Sequence, residues 1–364
     1  MAKTKPTGVP VYLAAFIVII AGVMYAKAVV TPLILALFIS IVCAQPIYWL
    51  QKRRVPQALA VAIVLVGVLA VFFGFAELIN SSLSSFSQQA PTYEKNLRAI
   101  QATLFQFFND QGVDFSTDQL SSLVDVSKTL SITASLLGQL GSIMGNALTI
   151  FFLVLFLLLE LDSITIKAEA IVSGKANSLK YFDNIGSSIR HYLSIKTLVS
   201  LITGVCIWLS LLIIGVDYAI IWGLIAFLLN YIPNIGSVIA AVPAVLFSVI
   251  QLGLGAALGT ALVFVVVNIV IGNVIEPRLM GRGLGLSTFV VFFALIFWGF
   301  VFGTVGMFLS VPLTIAIKIM LEQNPQTKGI AIALGTQSEA QLLLDQHQNP
   351  KPESIKEELT VKTE

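Results

Sequence analysis

Charge is what this sequence has least of: Asp, Glu, Lys and Arg make up 11% of its 364 residues, against 57% hydrophobic ones. A soluble chain of this length carries roughly 25% charged residues, and so few cannot cover a water-exposed surface. A net charge of +2 is too small to imply nucleic acid as a partner. The two cysteines, Cys43 and Cys206, lie inside apolar runs, which argues against a disulfide framework. Of the two histidines, His191 and His347, the first sits in an amphipathic segment and reads as an interfacial ring, not a metal ligand. Neither H-E-x-x-H nor the phosphate loop G-x-x-x-x-G-K-[ST] occurs, so ATP hydrolysis by that route is excluded. No nucleophile–base pair suggests proteolysis within the membrane. These absences point away from an enzyme and from any cofactor or metal.

Apolar length is present instead, with a mean hydropathy of +0.93. A helix needs about 20 apolar residues to cross a bilayer, and residues 1–79 hold three such runs, about Val9–Ala26, Thr31–Leu50 and Gln57–Ile79. The first follows Lys3 and Lys5 as a signal peptide would. A second span follows almost at once, so it reads as an uncleaved span. The basic loop Gln51-Lys52-Arg53-Arg54 places itself and the N-terminus in the cytoplasm.

Residues 80–145 are rich in Ser, Gln and Asn and are expected to form an external helical segment. Leu97, Ile100, Leu104 and Phe108 share one helical face, and Ser116 and Gln119 have capping-box spacing. Residues 146–196 read as a fourth span, about Asn146–Leu161, and a cytoplasmic amphipathic helix with Leu179, Phe182, Ile185 and Ile189 on one face. Residues 197–320 form a C-terminal membrane region. Its fifth span, Thr197–Val216, precedes two apolar stretches broken at Pro233-Asn234-Ile235-Gly236, and Leu254–Ile275 follows. Thr288–Met320 is too long for one span and short for two. A hairpin of broken helices is expected there, interrupted at Gly299, Gly303, Gly306 and Pro312. Residues 321–364 read as a cytoplasmic tail, disordered beyond about Gln346. The fold class is therefore all-α: a polytopic membrane protein of about eight membrane segments, broken or re-entrant helices among them.

Irregular backbone cannot face lipid, so it survives only where it is buried in protein or lines a polar cavity. Two Gly/Pro-interrupted segments flanking a span point to a transporter's binding region. Both run into a Val-Pro step, Val242-Pro243 and Val311-Pro312, which hints at an internal repeat. Any single glycine is read as packing, as are the spacings Gly255–Gly259 and Gly299–Gly303; the Pro233–Gly236 cluster is read as functional. Polar groups at membrane depth are costly and therefore informative. Asn230, Pro233, Asn234, Gly236, Asn268, Asn273, Glu276 and Pro277 are accordingly the candidate substrate path. For Glu276 and Arg278, an ion pair or interfacial solvation is the plainer reading.

The runs Asn230-Tyr231-Ile232-Pro233-Asn234-Ile235-Gly236-Ser237 and Gly272-Asn273-Val274-Ile275-Glu276-Pro277-Arg278-Leu279-Met280-Gly281 resemble signatures of the autoinducer-2 exporter family. So do Gly306-Met307-Phe308-Leu309-Ser310-Val311-Pro312-Leu313-Thr314 and Arg190-His191-Tyr192-Leu193. Where many members have His-Pro, this chain has Ser287-Thr288, and Gly281–Thr288 resembles the autoinducer-2-exporting branch. The resemblance implies export of autoinducer-2, a small hydroxylated quorum-sensing signal, from a bacterial inner membrane. It also implies a homo-oligomer, with a pentamer as the candidate. Other members are associated with sodium/proton exchange, so a cation/proton antiporter using Glu276 stays open. A non-transporting membrane scaffold is the third reading.

Overall fold

The computed structural model describes residues 8–110, 147–172, 176–233, 235–280, 285–323 and 326–348, and every regular element among them is a helix. In chain order these are α1 (Gly8–Tyr25), α2 (Lys27–Lys52), α3 (Gln57–Asp110), α4 (Ala147–Val172), α5 (Ala176–Ile214), α6 (Ala219–Leu229) and α7 (Gly236–Leu252). There follow α8 (Leu254–Val267), a π-helical segment (Asn268–Ile275), α9 (Glu276–Met280), α10 (Thr288–Phe302), α11 (Thr304–Glu322), α12 (Lys328–Leu334) and α13 (Gln337–Gln348). Among the described residues five helical stretches are long and apolar enough to cross a membrane: Lys27–Lys52, Gln57–Ile100, Gly186–Ile214, Leu254–Met280 and Thr304–Glu322. Shorter apolar helices stand between them. The chain is an all-α polytopic membrane protein.

The chain divides into two compact units, residues 1–171 with 193–279, and residues 172–192 with 280–364. In the first, Ala36, Cys43 and Ile47 of α2 pack with Ala60, Val61 and Leu65 of α3 and with Val154 and Leu158 of α4. The α2–α3 turn is made by Arg54 at φ 67, and the Arg53 guanidinium lies 4.2 Å from the centre of the Trp49 ring. A second core joins Phe86, Tyr93 and Leu97 of α3 to Ile207, Leu211, Trp222, Phe247 and Phe264.

The change of composition at Asn80 falls inside a helix. α3 runs for 54 residues through Pro91, and Leu97 is buried. The side chains of Leu104 and Phe108, and the Ser116–Gln119 spacing, lie outside the described residues. Likewise Thr197 does not begin a helix but falls within the 39-residue α5. Of the face expected there, Ile189 is buried; the side chains of Leu179, Phe182 and Ile185 lie outside the described residues.

Both expected breaks are helical hairpins, in which α6, α7 and α10 are short apolar helices and α11 is long and apolar enough to cross a membrane. α6 has 11 residues, a length of about 16 Å at 1.5 Å per residue, against a hydrocarbon core of about 30 Å. The two hairpins share a device. A Cβ on Gly236, which opens α7, would sit 1.8 Å from the Leu229 carbonyl oxygen. A Cβ on Gly306, in the first turn of α11, would sit 1.8 Å from the Trp298 carbonyl oxygen. Each glycine thus lets the second helix rest on backbone near the end of the first, a few residues before a buried proline, Pro243 or Pro312. That common placement strengthens the repeat hinted at by the Val-Pro steps.

In the second unit the α10–α11 turn is Gly303 at φ +69, and Gly299 packs on Met307, whose Cγ is 2.9 Å from where a Cβ would be. Gly303 is therefore the turn residue between α10 and α11, in a backbone conformation that favours glycine. Gly255, by the same measure, faces nothing within 4 Å. Ser287 caps α10, its Oγ accepting from the Val290 N–H at 3.3 Å. Beyond α11 stand α12 and α13, and Glu339 of α13 pairs with the buried Lys318 at 2.7 Å; residues 349–364, where disorder is expected, lie outside the described residues.

Candidate functional site

Polar side chains from three stretches of the first unit meet along one turn of α5. Lys196 and Ser200, four residues apart, lie on one side of that helix, with Thr197 beside them. The hydrophobic run of α6 ends where Pro233 removes a backbone donor, and the freed groups are met locally. The Tyr231 and Ile232 N–H groups donate to the carbonyls of Leu228 and Leu229 at 3.2 and 2.9 Å, and the Gly236 N–H to Ile232 at 3.3 Å. This turn delivers Asn230 and Tyr231 to α5. The Asn230 amide Nδ2 donates to Ser200 Oγ at 3.0 Å, and the Tyr231 hydroxyl donates to Thr197 Oγ1 at 2.7 Å. Thr197 in turn donates to the Leu193 carbonyl at 2.7 Å.

Glu276 arrives from the other direction. The π-helical segment closes with the Glu276 N–H on the Ile271 carbonyl, five residues back, a spacing that recurs at functional sites. The Glu276 carboxylate then meets Lys196, with Nζ 2.5 Å from Oε1 and side chains 4% and 18% exposed. So deep a pair is sustained by mutual attraction. Removal of one partner leaves an uncompensated charge, at a cost of about 3–5 kcal/mol.

The candidate path residues divide accordingly. Asn230 and Glu276 contact the same turn of α5. Gly236 is buried and Pro233 half-buried at the break; Asn234 lies outside the described residues. Asn268 opens the π-helical segment and is half-buried, its Oδ1 3.2 Å from where a Gly272 Cβ would stand. Asn273 and Pro277 are exposed on the first unit. Glu276 pairs with Lys196, and Arg278 is exposed. Gly299, Gly303, Gly306 and Pro312 form the hairpin of the second unit.

Lys196, Thr197, Ser200 and Tyr231 were not among the candidates. Lys196 reads as the last of a series of interfacial lysines, and its partner lies 80 residues later. The sequence shows only that Lys196 opens one apolar run and Glu276 closes another, opposite charges at the ends of two spans with nothing local to pair them.

A sequence model of AI-2E family transporters matches residues 13–326. The chain belongs to this family. The AI-2 transport protein TqsA of Escherichia coli (strain K12) is 37% identical over 324 residues, covering 89% of this chain and 94% of that protein. A Haemophilus influenzae protein named "Putative transport protein" is 39% identical over 330 residues, with 89% and 94% covered. YhhT of E. coli K12, named in the same way, is 35% identical over 323 residues, with 89% and 93% covered. This AI-2E family transporter is thus a multi-pass membrane transport protein, and its family and relatives are named for transport.

Proposed function

We propose that this transporter exports a small polar solute, autoinducer-2, from the cytoplasm across a bacterial inner membrane, with both termini on the cytoplasmic side. The observation that carries the solute is the 37% identity with TqsA over nearly its whole length. The chemistry of the cluster agrees with it. Amides and hydroxyls at Asn230, Ser200, Thr197 and Tyr231 suit a neutral, hydroxylated solute, and the Lys196–Glu276 pair adds no net charge. The path then runs from this cluster past the Pro233–Gly236 break, with Asn234 and the Asn268–Glu276 stretch as further contacts. Lipid surrounds the apolar helices, and the working form is a homo-oligomer with a pentamer as the candidate. The antiporter alternative needs a carboxylate free to exchange cations, and Glu276 is occupied by Lys196.

The test is the ratio of intracellular to extracellular autoinducer-2 in a strain deleted for the gene and then complemented. Retention reversed by the intact protein, but not by membrane-inserted Asn230→Ala or Asn234→Ala, is the expected result. Unchanged partitioning in the deletion strain overturns the autoinducer-2 assignment. Normal export by the inserted variants overturns the path alone.

A further inference from the structure

A lysine is an unexpected member of a site otherwise made of amides and hydroxyls. Among the described residues the buried charged side chains are Lys196 and Lys318, and Lys318 serves the C-terminal helices through Glu339. Lys196 serves Glu276. A carboxylate removed from water is tolerated only when a cation or a proton offsets it. Carriers driven by an ion gradient draw that cation from solution and release it on the other side. Here the cation is covalently part of the chain. Its nitrogen sits at hydrogen-bond distance from Oε1, 2.5 Å, and the pair has no net charge whether the proton rests on nitrogen or on oxygen.

The tether is also held in place. Lys196 extends from the turn of α5 whose Thr197 and Ser200 are engaged by Tyr231 and Asn230, so the ammonium is fixed to the rim of the α6–α7 break. Glu276 is fixed by the π-helical segment that precedes it. A sodium ion seated on Glu276 would either displace Lys196 or add to the pair a positive charge with no partner, and both leave a buried charge unpaired.

We propose that Lys196 is a built-in counter-cation for Glu276, standing where a coupling cation would bind, so that transport by this chain is independent of sodium. The proposal rests on the reading of this cluster as the transport site. Its test uses sodium alone as the probe, so it can fail while autoinducer-2 export stands, or stand while export fails.

The full chain, purified in detergent, is melted in sodium chloride and in choline chloride at equal ionic strength. The wild type, Lys196→Arg and the double variant Lys196→Ala with Glu276→Gln are expected to melt alike in both salts. Lys196→Ala exposes the carboxylate and is expected to gain sodium-dependent stability, rising with the logarithm of sodium concentration, by at least about 2 °C. A sodium shift in the wild type that Glu276→Gln removes overturns the proposal, as does a folded Lys196→Ala indifferent to sodium. If Lys196→Ala does not fold, uptake of radioactive sodium by wild-type proteoliposomes decides. Uptake above that of empty liposomes overturns the proposal, and none supports it.

Discussion

Gly204 of α5 and Gly223 of α6 lie backbone against backbone: a Cβ on the first would stand 2.8 Å from the carbonyl oxygen of the second, and one on the second 2.7 Å from that of the first. The neighbouring Cβ atoms of Phe227 and Trp208 close the crossing at 2.8 and 2.7 Å. Small residues permit such approach between membrane helices, where dispersion and not water drives association. The contact brings α6 close enough for Asn230, one turn beyond Phe227, to reach Ser200.

Gly204→Ala and Gly223→Ala are each expected to lower stability by about 1–3 kcal/mol, the usual cost of overpacking. Thermal melting of the detergent-purified protein measures it. Gly255→Ala, with nothing within 4 Å, is the control and should melt as the wild type does. Equal melting of all three would mean that the two helices do not cross here.

The hairpin glycines should be less tolerant. An added Cβ at Gly236 or Gly306 meets a carbonyl oxygen at 1.8 Å, and backbone cannot swing aside as a side chain can. Gly236→Ala and Gly306→Ala are expected to give little monodisperse protein by size-exclusion chromatography after extraction. Gly259→Ala, whose nearest neighbour is Ile214 Cδ1 at 3.7 Å, should elute normally. Wild-type yield from either hairpin variant would contradict the shared packing of the two breaks.

Gln251 supports the turn that starts α6. Its Oε1 accepts from the Asp217 N–H at 2.7 Å and its Nε2 donates to the Gly215 carbonyl at 3.1 Å. Gln251→Ala leaves both groups without that partner, at about 1–3 kcal/mol for each one kept from water. Hydrogen exchange at the Asp217 amide should accelerate more than tenfold, since about 1.4 kcal/mol is a factor of ten. Unchanged exchange would show that the side chain does not protect the turn.

The breaks were legible in the sequence because glycine and proline act locally, through a missing Cβ or a missing N–H. The continuity of α3 through residue 80 was not. The shift from apolar to polar composition there reports what surrounds the chain, lipid or water, and a helix persists through either. Asn273 illustrates a related limit: a polar residue in an apolar run shows that polarity is tolerated, but not which face carries it. Glu276 could be singled out as a costly charge. Its partner could not, because Lys196 has the same local setting as the interfacial lysines before it. Only the tertiary fold brings the two together.

The Tyr93 hydroxyl lies 3.0 Å from Asp217 Oδ2 and 2.9 Å from Gln89 Oε1, and its ring packs edge-on to Phe247 with centroids 5.2 Å apart. The turn that launches the α6–α7 hairpin is therefore also the turn that grips α3. α3 is about 80 Å long at 1.5 Å per residue, with Tyr93 in its second half. Asp217 is thus an anchor shared by the hairpin and by α3: its N–H is held by Gln251 and its carboxylate by Tyr93. Any displacement of the hairpin must either carry Tyr93 with it or first break these hydrogen bonds.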